Sequence, residues 1–148
     1  MSLFQGTQEV SLDGKGRIAV PTKQRAHFAA GAVITAHPDG CLLLYPSVVW
    51  DTERPHFVAP PNAGPRERWL QRVIIGGAEV TELDSAGRIL IPQVLRDFAH
   101  LKTLVRFAGM NNKFELWDAE SYQTEYDTQR PTMINGPMPT AAAEAAGT

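Results

Sequence analysis

The stretch from Asp13 to Pro21, DGKGRIAVP, returns as DSAGRILIP from Asp84 to Pro92, 71 residues further along at both ends. Identities extend outward to Leu12 with Leu83 and Arg25 with Arg96. With one residue added in the second copy, Leu44-Tyr45 matches Leu116-Trp117 and Trp50 matches Tyr122. Self-similarity at a fixed offset decides architecture before any local pattern does. This chain is two similar halves.

Each copy reads as alternating residues, a turn, and alternating residues again, the pattern of a β-hairpin. Asp at the first turn position and Gly at the fourth fit a type I turn closed by a left-handed glycine. That geometry puts Asp13 across from Arg17 and Asp84 across from Arg88. It also pairs Leu12 with Ile18, Val10 with Val20 and Leu83 with Ile89 on an apolar face. For either copy alone, the plain reading is a solvated ion pair that sets register, since cross-strand charges contribute only about 0.2–1 kcal/mol. Two copies at matching turns favour a second reading. A guanidinium held by a carboxylate presents a rigid fork to a phosphate or a guanine edge. Asp13 and Asp84 cancel part of that charge, so Lys15, Lys23 and Arg25 matter for attraction, although Lys23 and Arg25 read equally well as a solvated polar helix face.

The doubled Asp-x-x-x-Arg hairpin resembles the MraZ family of bacterial transcriptional regulators, whose halves look like AbrB-type swapped-hairpin domains. The resemblance runs over about residues 3 to 125 and takes in Cys41-Leu42-Leu43-Leu44-Tyr45-Pro46 and Asn112-Lys113-Phe114-Glu115-Leu116-Trp117. It implies a closed ring of several copies with the Arg tips on one rim. It also implies binding to short direct repeats in a promoter, that of the cell-division and cell-wall gene cluster. Relatives of this kind carry a longer charged C-terminal helix and a helical connection between halves; the prolines of this chain predict neither.

The 148 residues suffice for one compact domain or two small halves sharing a core. Halves of roughly 50 residues are marginal alone, so mutual packing and oligomerisation are expected. Cys41 is the only cysteine, which excludes an internal disulfide and a cysteine-based zinc site. It lies in an apolar run and reads as a packed small residue. No apolar stretch is long enough to span a bilayer and no signal-peptide core is present, so a cytoplasmic, nucleoid-associated protein is expected. The formal net charge of −2 argues by itself against nucleic acid. Its distribution argues otherwise: Lys15, Arg17, Lys23 and Arg25 outnumber Glu9 and Asp13 in the first thirty residues, and acids dominate after Glu115.

In chain order, the reading is a strand over Phe4 to Leu12, the first hairpin, and a short helix over Thr22 to Phe28 opened by Pro21. A second hairpin turns at Pro38-Asp39-Gly40. A helix opened by Pro46 ends at Pro55, and residues 5–54 form the first DNA-binding half. Residues 55–76 are a Pro-rich linker and a helix over Arg66 to Ile75, with Arg66, Arg68 and Arg72 on its solvated face. Residues 77–126 repeat the plan and close with a helix from Asp118 to about Tyr126. Residues 127–148 read as a disordered tail. Trp50, Trp69 and Trp117 are assigned to core or interface.

The four histidines lack metal-ligand spacing, Gly14-Lys15-Gly16 is no phosphate-cradling loop, and Ser11 and Ser85 lack a nucleophile's setting. Neither an enzyme nor a cofactor is expected. The fold class expected is α+β, mainly β: two pseudo-symmetric hairpin-barrel halves with short outer helices. The function expected is sequence-specific binding of double-stranded DNA by a homo-oligomer, through Asp13, Lys15, Arg17, Lys23, Arg25, Asp84 and Arg88. A general AbrB-like or antitoxin-like regulator is the nearest alternative. A protein-binding assembly whose tips contact other subunits is the alternative from another class.

Overall fold

The computed structural model describes residues 4–139. It is a mixed α+β structure, mainly β, with eight strands and short helices. The first repeat contributes β1 (Thr7–Ser11), β2 (Arg17–Ala19), a 3₁₀ helix (Thr22–Phe28), β3 (Ala32–Ala36), β4 (Leu42–Pro46) and α1 (Ser47–Glu53). A 3₁₀ turn (Arg54–Phe57) and α2 (Pro65–Ile74) follow. The second repeat supplies β5 (Glu79–Thr81), β6 (Arg88–Leu90), α3 (Gln93–Phe98), β7 (Leu104–Gly109), β8 (Phe114–Asp118) and α4 (Ala119–Asn135).

The strands form a six-stranded sheet in the order β1-β7-β8-β4-β3-β5 and a separate two-stranded ribbon, β2-β6. Here the structure departs from the simple hairpin. Both turns form as expected: Asp13 N donates to Arg17 O at 2.9 Å, Gly16 N to Asp13 O at 3.0 Å, and Asp84 and Gly87 repeat these bonds. Beyond the turn the strands separate. Val10 pairs with Val105 instead of Val20, and Leu12 N donates to Thr103 O at 2.8 Å instead of pairing with Ile18. Ile18 pairs with Ile89.

The exchange is systematic. The first strand of each repeat pairs with the third strand of the other, in β1-β7 and β5-β3. Second strands pair with each other, and so do fourth strands. A pseudo-twofold axis therefore passes through the Ile18–Ile89 pair and, in the β4-β8 ladder, through Leu43–Glu115. The two repeats are interleaved in both the sheet and the ribbon and do not form separate barrels. The physical reason is core size: strands of three to six residues cannot enclose a core within one repeat, and sharing lets both repeats bury one.

The main core draws on both repeats, with Ile18, Val20, Phe28, Leu42 and Leu44 packed against Ile89, Ile91, Leu95, Phe107, Phe114 and Leu116. Because side chains alternate along a strand, Leu43 and Tyr45 of β4 point the other way. There they join Val33, Trp50 and Ile74 in a second cluster closed by α1 and α2. This explains the unbroken apolar run from Cys41 to Tyr45: β4 is buried on both faces. Cys41 is a free thiol in this interior, and burial pushes its pKa up, away from the reactive thiolate.

Several local expectations are met. Gly40 has a φ of 96° at the second hairpin's turn. Gly76 N and Gly77 N close α2 on Gln71 O and Val73 O, and the helix begins at Pro65, one residue before the expected Arg66. Two are corrected. α4 continues to Asn135, past the expected end near Tyr126, so residues 127–135 are helical and not a disordered tail. Pro131 forfeits one backbone hydrogen bond without ending the helix, and the Gln123–Asp127 and Gln129–Glu125 side-chain pairs brace the preceding turns. The rest of the expected tail, from residue 140 on, lies outside the described residues. Trp50 and Trp117 are buried, but Trp69 is 61% exposed on α2, with the Arg72 guanidinium stacked 4.6 Å over its ring.

Candidate nucleic-acid interface

The ribbon pairs Arg17 with Leu90, Ile18 with Ile89 and Ala19 with Arg88. Directly opposed residues share a face. Ile18 and Ile89 point inward and are fully buried. Arg17, Ala19, Arg88 and Leu90 therefore occupy the outer face, with Leu90, opposite Arg17, 52% exposed. The two arginines are diagonal neighbours, so their backbones lie roughly 7–8 Å apart. Neither repeat could make this face alone, since each gives one strand.

Each arginine is fixed from beneath. Asp13 Oδ1 accepts the backbone N–H groups of Lys15 (2.9 Å) and Arg17 (2.8 Å), and Oδ2 accepts Arg17 Nε at 2.9 Å. Asp84 holds Arg88 in the same way, at 2.9 Å from its backbone N–H and 3.0 Å from Nε, with Ala86 N in the place of Lys15 N. The backbone hydrogen bond from Arg17, with those from its side chain and Lys15, lowers the Asp13 pKa to about 2. The Arg88 backbone likewise lowers that of Asp84. Both carboxylates are thus ionised at neutral pH. The bonds engage only the Nε of each guanidinium, so the terminal nitrogens, the pair suited to bidentate contact, are not used by the carboxylate.

Lys15 and Lys23 are exposed near the ribbon, Lys15 on the first turn and Lys23 on the 3₁₀ helix. Arg25 is placed otherwise than expected. It is half-buried, its Nε donates to Val20 O at 2.9 Å, and its guanidinium packs on Gly87 of the other repeat's turn. Arg96, its counterpart, was not among the expected site residues. Its Nε donates to Ile91 O at 2.9 Å and it packs on Gly16. The signal for it was present in the sequence, as the Arg25/Arg96 identity between repeats.

The face can accept hydrogen-bonding edges or phosphate oxygens, and Leu90 and Ala19 between the arginines suit an apolar contact such as a thymine methyl. Among the described residues there is no group of three or more metal-ligating side chains, and no helix is long and apolar enough to cross a membrane.

A family model described as "MraZ protein, putative antitoxin-like" matches residues 3–73 and again 74–135, so each match covers one repeat. A transcriptional regulator MraZ of Nitrosomonas europaea is 44% identical over 141 residues, covering 93% of this chain and 95% of that protein. Its namesake in Marinobacter nauticus is 43% identical over 133 residues, covering 86% and 89%. That of Cupriavidus taiwanensis is 41% identical over 143 residues, covering 94% and 96%. With both repeats matched and the alignments running nearly end to end, the chain belongs to the MraZ family.

Proposed function

We propose that this protein is a sequence-specific DNA-binding transcriptional regulator that sets the β2-β6 ribbon into the major groove. One observation carries the reading: two arginines stand on the outer face of a two-stranded ribbon, each fixed by its own carboxylate. The major groove admits such a ribbon, and arginine on a guanine edge is the commonest specific contact there. The relatives named transcriptional regulator MraZ support the same function. In this reading Arg17 and Arg88 touch base edges, Asp13 and Asp84 aim them, and Lys15 and Lys23 meet phosphate. The target is a set of short direct repeats in a promoter, that of the cell-division and cell-wall gene cluster, and the protein works on the nucleoid in the cytoplasm.

A single ribbon offers few base contacts, so the working form is a homo-oligomer, a closed ring whose linked ribbons gain by effective concentration when repeat spacing matches. Exposed apolar residues on and beside the edge strand β5 support association: Val80 is 79% exposed, and Val94 and Phe98 are also open.

A gel shift with the protein's own upstream DNA, across a salt series, tests the assignment. Arg17→Ala should erase most of the preference for that DNA over random sequence, a loss of about 1–3 kcal/mol per engaged site. Lys23→Ala should weaken both DNAs alike and reduce the log–log salt slope by about 0.9. If neither substitution changes DNA affinity, the ribbon is a protein-contact surface and the regulator does not bind DNA through it.

A further inference from the structure

Arg25 and Arg96 each lie in the helical segment that follows a ribbon strand, and their surroundings are the same in both repeats. Arg25 Nε donates to Val20 O at 2.9 Å, and Arg96 Nε to Ile91 O at 2.9 Å. These two carbonyls belong to residues whose own N–H groups reach across to the other repeat. Val20 N donates to Gly87 O at 2.9 Å, and Ile91 N donates to Gly16 O at 2.8 Å. Each arginine thus starts from a residue already bonded to the opposite turn and ends on that turn's glycine. A Cβ on Gly16 would stand 2.6 Å from Arg96 Cζ and 2.9 Å from one of its terminal nitrogens, and a Cβ on Gly87 would collide with the Arg25 side chain. Both glycines also have left-handed φ, +85° and +77°. A side chain there is thus disfavoured by backbone conformation, and it would also have to push the arginine off the turn.

We propose that Arg25 and Arg96 are crossed positioning residues: Arg96, from the second repeat, holds the turn that presents Arg17, and Arg25, from the first, holds the turn that presents Arg88. The inference rests on the DNA-reading role of the ribbon and adds to it a coupling between repeats. Gly16 and Gly87 immediately precede the reading arginines, so a shift of either turn moves the guanidinium fork that follows it. Hydrogen-bonded base readout tolerates little displacement, since contacts weaken steeply as geometry degrades. Lysine cannot replace arginine here. It keeps the charge but has neither the Nε–H nor the planar group that lies on the glycine.

The competing role for both arginines is direct contact with phosphate, and the two roles separate by experiment. Amide hydrogen exchange of the full-length protein is measured over segments 13–17 and 84–88, together with affinity for upstream and random DNA across a salt series. Arg96→Lys should accelerate exchange in 13–17 and spare 84–88, and Arg25→Lys should do the reverse. Each should lower the preference for upstream over random DNA by roughly tenfold. Arg96→Lys should add little loss to Arg17→Ala, since the fork it positions is gone, and should keep its full effect beside Arg88→Ala. Arg96→Ala should leave the salt slope unchanged, whereas a lost phosphate contact would shrink it by about 0.9. Exchange that rises in an arginine's own turn or in both turns equally, exchange left unchanged by lysine, or a reduced slope each overturns the clamp. Crossed exchange with unchanged DNA affinities would uphold the clamp and sink the DNA reading it serves. Loss of DNA binding in Arg17→Ala without crossed exchange would do the opposite.

Discussion

Ile18 lies directly opposite Ile89 in the ribbon, each fully buried and each the other's counterpart in the repeat. The pair sits on the pseudo-twofold axis, so the outer face with its two arginines rests on a contact that neither repeat makes within itself. An inward isoleucine on each strand keeps both arginines pointing outward, because alternate residues face opposite ways.

Ile18→Val and Ile89→Val should each destabilise the fold by about 0.5–1.5 kcal/mol, and Ile18→Ala by about 2–5 kcal/mol. Since the two side chains face each other in one ribbon, the double valine variant should be non-additive. Denaturant melts of the two single variants and the double variant check this, and strict additivity would mean that the two isoleucines pack independently.

Arg88→Ala should weaken binding to the upstream DNA less than Arg17→Ala. The two arginines are held identically, but the first turn carries exposed Lys15 where the second has Ala86. Titrations of both variants at one salt concentration decide the order, and an equal or larger loss for Arg88→Ala contradicts it.

Asp13→Ala separates attraction from aim. Removing a carboxylate makes the ribbon more positive, so affinity for random DNA should rise; freeing Arg17 should at the same time lower the preference for the upstream sequence. The pH dependence follows from the same carboxylate. Its pKa is depressed to about 2 from an ordinary 3.8, so its contribution to holding the turn is complete above the ordinary value and disappears as pH falls through about 2. Sequence preference should therefore be insensitive to Asp13 titration between about pH 5 and 8. A preference that tracks a carboxylate titration in that window would show that Asp13 is not held as the structure has it.

Removal of residues 131–148 should leave the oligomer intact. Among its described residues α4 buries no side chain, and the deletion spares Tyr122, whose ring packs edge-on to Trp117 at 5.9 Å. Light scattering on the truncated protein should give the full-length subunit count. A monomer would place the assembly contacts in the removed segment.

The local chemistry of this protein was legible in its residues. The Asp-x-x-Gly-Arg pattern determined both turns, down to the carboxylate beneath each arginine, because a turn is closed by residues within four positions of one another. Pro46 and Gly76-Gly77 marked helix ends for the same local reason, whereas the opening of α2 at Pro65 and the burial of both faces of β4 came only with the structure. Which strand pairs with which was decided only by the tertiary structure. Val10 and Ile18 carry the same alternation whether they pair within a hairpin or across repeats, and shared burial of Ile18 with Ile89 makes the difference. Arg25 looked like a surface cation until the fold brought Gly87 beneath it, and Arg96 had no visible task until it met Gly16. Pro131 illustrates the opposite error: a strong local breaker was overridden by the helix around it. Turns and caps are settled by near neighbours in the chain, whereas the ribbon and its clamps depend on contacts between residues about seventy positions apart, which only a shared core can bring together.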